Sequence, residues 1–225
     1  ERVSEQHSLT PVLAPHSVAV IGAGRRPGGA GHEILRSIVE GGFTGQLFAV
    51  HPNASIVGGV PAYPTIADVP EHVDLAVIAL PAAQVPGVVT ECAAAGVHGA
   101  VVVTSGLGEI AGEGVERQRR MVHEARRHGM RIIGPNALGL VNTDPEVRLN
   151  ATFADAQSHP GALALASQSG AVGIAVLAHI ERRGIGLSDF VSLGNKADVS
   201  GNDLLLYWWQ HPATRVIALY LESFG

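Results

Sequence analysis

An open, doubly wound parallel α/β sheet followed by a second, partial α/β unit is the fold class that the sequence predicts. Three observations predict it. Short apolar runs rich in β-branched residues alternate with stretches of helical length. Those runs lack in–out alternation, the mark of strands that crossover helices bury on both faces. Small side chains dominate the interior: 46% of residues are hydrophobic, only 4% are aromatic, and 28 glycines accompany them. That composition suits helices packed closely on parallel strands.

The first unit reads as strands over 17–21, 46–50, 75–80, 99–103 and 131–133. Helices fall between them near 32–41, 83–95 and 114–128. On the last, Val115, Val122 and Ala125 share a helical stripe, while Arg117, Arg119, Arg120, Arg126 and Arg127 mostly point elsewhere and read as a solvated face. The segment 142–160 is polar, holds Pro145 and Pro160 and has no periodicity, so it reads as a linker. Alternation then resumes with strands over 162–166, 190–193 and 216–221 and helices over 171–183 and 203–210. Three strands are too few for a complete doubly wound unit, so this second unit reads as truncated. The predicted division is a lead-in over 1–14, a first domain over 15–145 and the start of a second over 160–225. The lead-in is polar and broken by proline, and reads as a linker arriving from something upstream.

Bulk properties narrow the function classes. A formal net charge of -5 argues against a dedicated nucleic-acid binder. The stretch 161–180 carries no charge, but the central Ser167, Gln168, Ser169 and Gly170 split it into pieces too short for a bilayer. No secretory signal opens the chain. A lone Cys92 excludes an intrachain disulfide and fits a reducing compartment, so a cytoplasmic setting is expected. No His, Asp or Glu pair has ligand-like spacing on a common element, so no metal site is expected.

In a doubly wound sheet the ligand lies beyond the carboxyl ends of the strands, so five loops matter: "GAGRRPGG", "HPNAS", "LPAAQ", "TSGLGE" and "GPNALG". The first joins a strand to a helix start and suits a phosphate. A nicotinamide dinucleotide would need G-x-G-x-x-G there and an acid about 20 residues on. Gly22 and Gly24 fit, but Pro27 takes the third glycine's place and His51, Pro52 and Asn53 stand where the acid should be. The phosphate logic survives, and both departures count against the nicotinamide reading.

Together these loops resemble the CoA-binding domain of the NDP-forming acyl-CoA synthetases, which include the succinyl-CoA synthetase α subunit and the ADP-forming acetate–CoA ligases. The segments that carry the resemblance are "SVAVIGA", "GGFTGQLFAVHPNA", "VDLAVIALPA", "GPNALGLVNT", "ASQSGAVG" and "SLGNKADVSGNDLL", and it spans about Leu13 to Gly225. It implies a Rossmann-like first domain followed by a partial flavodoxin-like one. It also implies a reaction that runs through an acyl phosphate and a phosphohistidine, with CoA or acyl-CoA (acetyl-CoA first) as ligand.

Carried over by position, Gly22, Ala23, Arg25 and Gly28 resemble part of the CoA clamp, and His51, Pro52 and Asn53 the loop at its nucleotide end. Pro81, Thr104, Ser105 and Gly106 match segments lining the rest of the ligand, and Gly134, Pro135 and Asn136 the turn near the thiol. Ser167, Ser169 and Gly170 resemble a phosphoryl-binding turn, for which plain helix capping is the alternative. Glu222 resembles the carboxylate that hydrogen-bonds the phosphohistidine.

None of the eleven histidines sits in the glycine- and alanine-rich loop that carries the family's phosphohistidine. ATP or ADP is expected only through domains outside these residues, so the chain is expected to bind CoA without completing the ligase reaction. Expected partners are an ATP-grasp domain or β subunit, with oligomers possible. The alternative function is an acyl-CoA-sensing module fused to a lysine acetyltransferase domain.

Overall fold

The computed structural model describes residues 2–24 and 28–223, with side chains from Ser8 onward. In chain order the elements are α1 (Arg2–Leu13), β1 (Ser17–Ile21), α2 (Ala30–Gly41), β2 (Gln46–Val50), β3 (Ile56–Val57) and β4 (Val60–Tyr63). A 3-10 turn over Ile66–Asp68 precedes β5 (Leu75–Ile78), α3 (Val85–Ala94), β6 (Gly99–Val102), α4 (Glu113–Arg127) and β7 (Arg131–Ile133). Next come β8 (Gly139–Asn142), β9 (Leu149–Thr152), β10 (Pro160–Ser167), α5 (Gly170–Arg182), β11 (Leu187–Ser192), α6 (Gly201–Trp209) and β12 (Val216–Tyr220).

The first sheet runs β3-β4-β2-β1-β5-β6-β7, and every pairing from β4 to β7 is parallel. It is doubly wound, and period-2 packing shows why. Val18, Val20, Leu75 and Val77 face one side with Ile34 and Ile38 of α2 and Val12 of α1. Ala19, Ile21, Ala76 and Ile78 face the other with Val85 and Val89 of α3 and Met121 of α4. Each central strand is thus buried on both faces, which is what its unbroken apolar run requires.

The second sheet runs β12-β10-β11-β8-β9, with β10 parallel to β11 and β12 and with β8 and β9 antiparallel. Here the structure departs from the linker expected over 142–160. β8 and β9 form a hairpin in the second sheet, so that sheet begins at Gly139. The hairpin hides from a periodicity search because the strands are short and its polar groups serve it locally: Asn142 Oδ1 accepts the Asp144 N–H at 2.8 Å and Asn150 Oδ1 the Thr152 hydroxyl at 2.8 Å.

Within the expected lead-in, Arg2–Leu13 is likewise a helix rather than a free linker. Leu9, Val12 and Leu13, spaced three and four apart, are buried. The helix packs on α6 and on the strands β6, β7 and β8. Gly99 leaves the space that Val12 fills. A segment this polar needs that tertiary surface to become helical.

One apolar cluster joins the two sheets: Val191, Leu193, Leu204 and Trp208 pack with α1 and with Val101 and Ile133. Arg131 staples the same junction. Its guanidinium donates to Asp198 and Asp203 at 3.0 Å each and to the Ser8 hydroxyl at 2.9 Å. Asp198 also accepts the Ile132 amide at 3.0 Å. On α4 most arginines pair with acids of their own helix, Arg117 with Glu113, Arg119 with Glu116 and Arg127 with Glu124, as a solvated face would. No helix among the described residues is long and apolar enough to cross a membrane.

Candidate functional site

Parallel pairing brings the post-strand loops of β1, β2, β5, β6 and β7 to one edge of the first sheet. Gly22 leaves β1 at φ +94°, and a Cβ there would overlap the Ala79 carbonyl oxygen beyond β5. Gly31, in the first turn of α2, lies equally close to the Gly22 carbonyl. The close helix–strand approach expected of a third fingerprint glycine is therefore made by Gly31, nine positions after Gly22. Ala23 is buried beside them. Arg25 lies outside the described residues.

The N-cap of α2 is Gly29, which has no side chain to occupy the first-turn amides. The Gly28 amide is already committed, donating to Glu33 Oε1 at 3.0 Å. That bond, followed by those from Arg36, holds the Glu33 carboxyl below its ordinary range. His32 Nδ1 lies 3.1 Å from the Gly24 carbonyl oxygen and ties the loop to the helix.

After β2, His51 Nδ1 accepts the Asn53 amide at 3.2 Å, which leaves Nε2 as the ring's other polar atom. Pro52 and Asn53 are exposed at the mouth of the loop. Gly22, Gly24, His51 and Pro52 line one cavity of about 360 Å³ with Thr65, Leu80 and Gln84. Gln84 closes the "LPAAQ" loop already singled out in the sequence, whereas Thr65 was missed because it comes from a capping segment with no motif of its own. Thr65 belongs to a capping box with Asp68, and Gln84 is the N-cap of α3. Pro81 is exposed and opens the turn into α3, its carbonyl accepting the Gln84 amide at 2.9 Å.

The loops after β6 and β7 are joined to each other. Thr104 donates its hydroxyl to the Leu80 carbonyl at 2.6 Å, and its own carbonyl accepts the Asn136 amide at 2.9 Å. Ser105 is exposed, and the Gly106 amide donates to Glu109. The second unit then reaches across. Gly194, at φ +53°, lets the backbone lie against the 135–136 carbonyls, where a Cβ would overlap them. Asn195 donates to Glu109 Oε2 at 2.6 Å and to Gln118 Oε1 at 3.1 Å, and its amide donates to the Pro135 carbonyl at 2.8 Å. Burial alone would raise the Glu109 carboxyl, but the Asn195 amide and nearby backbone N–H groups outweigh it and hold it low.

The residues from the second unit form a further group at the carboxyl ends of β10 and β12. Ser169 is the N-cap of α5 and accepts the Val172 amide at 3.4 Å, and Ser167 donates to the Ser169 carbonyl at 2.7 Å. Plain capping thus describes Ser169 as it stands. Gly170 faces open space. Gln168 Oε1 accepts the amides of Glu222 at 3.0 Å and Ser223 at 3.3 Å, and Lys196 Nζ donates to the Ser223 carbonyl at 2.8 Å. Gln168 and Lys196 therefore bring the Glu222 segment beside the Ser-x-Ser turn. The Glu222 side chain is exposed.

The sequence shows no ligand-like pair on a single element, and the fold adds a grouping made between elements. Among the described residues, His72, Asp74 and His98 converge at the opposite, amino-terminal edge of the first sheet. Pairing of β5 with β6 joins segments 24 residues apart, which no spacing on a single element reveals.

Residues 16–143 match the family described as a CoA binding domain, and residues 160–225 match the succinyl-CoA ligase like flavodoxin domain. The chain is 42% identical over 224 residues to the ADP-forming acetate–CoA ligase I subunit alpha of Pyrococcus furiosus, covering 96% of this chain and 47% of that one. It is 38% identical over 216 residues to the ADP-forming 4-hydroxybutyrate–CoA ligase of Nitrosopumilus maritimus, covering 96% and 31%. Among solved structures, the dinucleotide forming acetyl-coenzyme A synthetase 1 of Ca. Korarchaeum cryptofilum, in complex with phosphate and ADP, superposes with a TM-score of 0.92 at 41% identity. That match covers 96% of this chain and 46% of that one. The chain thus spans less than half the length of each of these three. On this likeness, which extends across both of its sheets, the chain belongs to the NDP-forming acyl-CoA synthetase family.

Proposed function

We propose that this chain is the CoA-binding portion of an ADP-forming acid–CoA ligase, in which CoA takes an acyl group from an acyl phosphate. The observation that carries the reading is the continuity of the carboxyl edge. The cavity at Gly22 and His51 leads by way of Leu80 and Thr104 to the Asn136 turn, where Asn195 of the second unit docks. A ligand as long as CoA needs such a row of loops rather than one closed pocket.

On this reading the nucleotide end lies in the cavity of about 360 Å³ beside His51, Pro52 and Asn53. The diphosphate faces the uncapped first turn of α2, whose amides and dipole favour negative charge. The flanking Arg25 would add charge, and Ala23 would close the loop's inner side. Pro81, Ser105 and Gly106 line the path to the thiol end at Asn136. Ser167, Ser169 and Gly170 would hold the phosphoryl group when the Ser169 hydroxyl releases its cap. Glu222 would orient a phosphohistidine supplied by another segment or subunit, and an ATP-grasp domain or β subunit would supply ADP or ATP. A cytoplasmic setting fits Cys92, which is buried, with burial pushing its thiol up to about 12 and leaving it inert. An acetyltransferase-fused sensor has no support beside the ligases named above.

Calorimetric titration of the chain with CoA, acetyl-CoA and NAD tests the reading. Saturable binding of CoA or acetyl-CoA with no NAD response is expected. Tight NAD binding with no response to CoA would overturn it.

A further inference from the structure

We propose that His72, Asp74 and His98 form a binding site for one divalent transition-metal ion of the zinc class, at the sheet edge opposite the CoA loops. The donor geometry carries the inference. His98 Nδ1 lies 3.1 Å from Asp74 Oδ1, His72 Nε2 lies 3.3 Å from His98 Nδ1, and His72 Nε2 lies 3.7 Å from Asp74 Oδ1. Bonds of about 2.0–2.1 Å to a tetrahedral zinc ion set neighbouring donors roughly 3.3 Å apart. The three atoms therefore outline one face of a tetrahedron. Its fourth corner points toward solvent, since about half of each imidazole is exposed, at 52% and 49%.

Protons alone satisfy this arrangement poorly. A neutral His98 can place one N–H on Nδ1, which serves either Asp74 or His72 but not both. The distance of 3.7 Å from His72 to Asp74 is too long for a hydrogen bond to take up the remainder. A cation at the centre uses a lone pair from all three.

The surroundings hold the donors in place. Asp74 is 8% exposed, and its second oxygen accepts the His16 amide at 2.8 Å, which leaves Oδ1 for the cluster. The Asp74 amide donates to the Ser17 hydroxyl at 2.8 Å. The Asp74 carbonyl accepts the Gly99 amide at 3.1 Å and the His98 carbonyl accepts the Arg131 amide at 2.9 Å, so both backbones are fixed by the strand ladder. Outer partners of this kind orient metal ligands. Two nitrogens and one oxygen suit a borderline ion such as Zn²⁺ or Co²⁺ rather than Ca²⁺ or Mg²⁺. Such an ion would clip the segment before β5 to the segment before β6.

The test uses the full, tag-free chain after chelator treatment. Co²⁺ is titrated while the visible d–d bands are followed, Zn²⁺ is then used to displace it, and thermal unfolding is recorded with and without Zn²⁺. One ion per chain is expected, with intense four-coordinate cobalt bands and a higher melting temperature in Zn²⁺. His72→Gln and His98→Gln should each weaken affinity by more than the roughly 10–100-fold that loss of an outer partner alone costs. CoA affinity should stay unchanged in both. His72 is exposed, so its variant keeps the fold even where that of His98 does not. Cobalt spectra like those of the aqueous ion, or undiminished binding by His72→Gln, would overturn the proposal.

Discussion

A methyl group added at Gly22 would overlap the Ala79 carbonyl oxygen while its backbone sits at φ +94°. Gly28 has a similar φ, +84°, but a Cβ there would meet nothing within 4 Å. The pair separates conformational cost from collision. Gly28→Ala should destabilise by about 1 kcal/mol, the penalty for an L-residue in that region. Gly22→Ala should cost about 3 kcal/mol and lose most CoA affinity, because the first loop must retreat from β5. Urea unfolding and calorimetry of the two variants check this. At the same scale, Asp189 is buried, with neither oxygen hydrogen-bonded, and His211 Nδ1 stands 3.6 Å away. Burial, helped by the charge of Asp144, pushes the Asp189 carboxyl up to about 7. Its proton is thus bound more tightly in the folded chain than in the unfolded one. That stabilisation is complete below about pH 4 and is lost as pH rises through about 7. Asp189→Asn should flatten that slope and leave the variant more stable than the parent by a few kcal/mol at about pH 8. Equal slopes in urea unfolding across that range would refute it.

At the scale of elements, what was legible followed from long apolar runs. Both-face burial wrote β1, β5 and β6 into the sequence as runs of Val, Ile, Ala and Leu, opened by Ser17 in β1 and Gly99 in β6, and the crossover helices followed from the gaps between them. The candidate loops were legible because a doubly wound sheet gathers them at one edge. What stayed hidden depends on partners far along the chain: α1 on α6, the β8–β9 hairpin on β11, and Asn195 on Glu109 and Gln118. Asn195 shows the point well. Its segment was singled out by the family resemblance, yet nothing local disclosed that it clasps the first unit. Asn195→Ala removes its side-chain hydrogen bonds to Glu109, Gln118 and Asn136 and leaves the exposed Glu109 with one donor fewer. A loss of about 1–2 kcal/mol in stability is expected. If CoA bridges these loops, its affinity should fall about tenfold with no change in stoichiometry, which is equivalent to about 1.4 kcal/mol. Calorimetry on the variant reads both quantities apart from the unfolding measurement.

For the whole molecule, the question is whether the two sheets unfold together. The apolar cluster running from Val12 and Ile133 to Leu204 and Trp208 is continuous, so neither sheet keeps a complete core without the other. Arg131 crosses that junction. Its side chain is 16% exposed, and it holds Asp198, itself 6% exposed, together with Asp203 and Ser8 of α1. Burial alone would weaken its charge, but the two carboxylates more than compensate and raise its affinity for the proton. Arg131→Ala would strand Asp198 with the exposed Arg126 as its one remaining ionic partner among the described residues. Removing one member of such a buried set costs about 3–5 kcal/mol, chiefly because the remaining charge stays desolvated. Arg131→Met keeps the aliphatic stem against its neighbours but strands the same carboxylate, so it should lose nearly as much. The double variant Arg131→Met with Asp198→Asn should recover part of that loss, since the stranded charge is gone. All three should keep a single, coincident transition by circular dichroism and tryptophan fluorescence, because Trp208 lies in the shared cluster. Two separated transitions in Arg131→Ala would instead mean that ion pairing, and not the apolar junction, makes the sheets one cooperative unit.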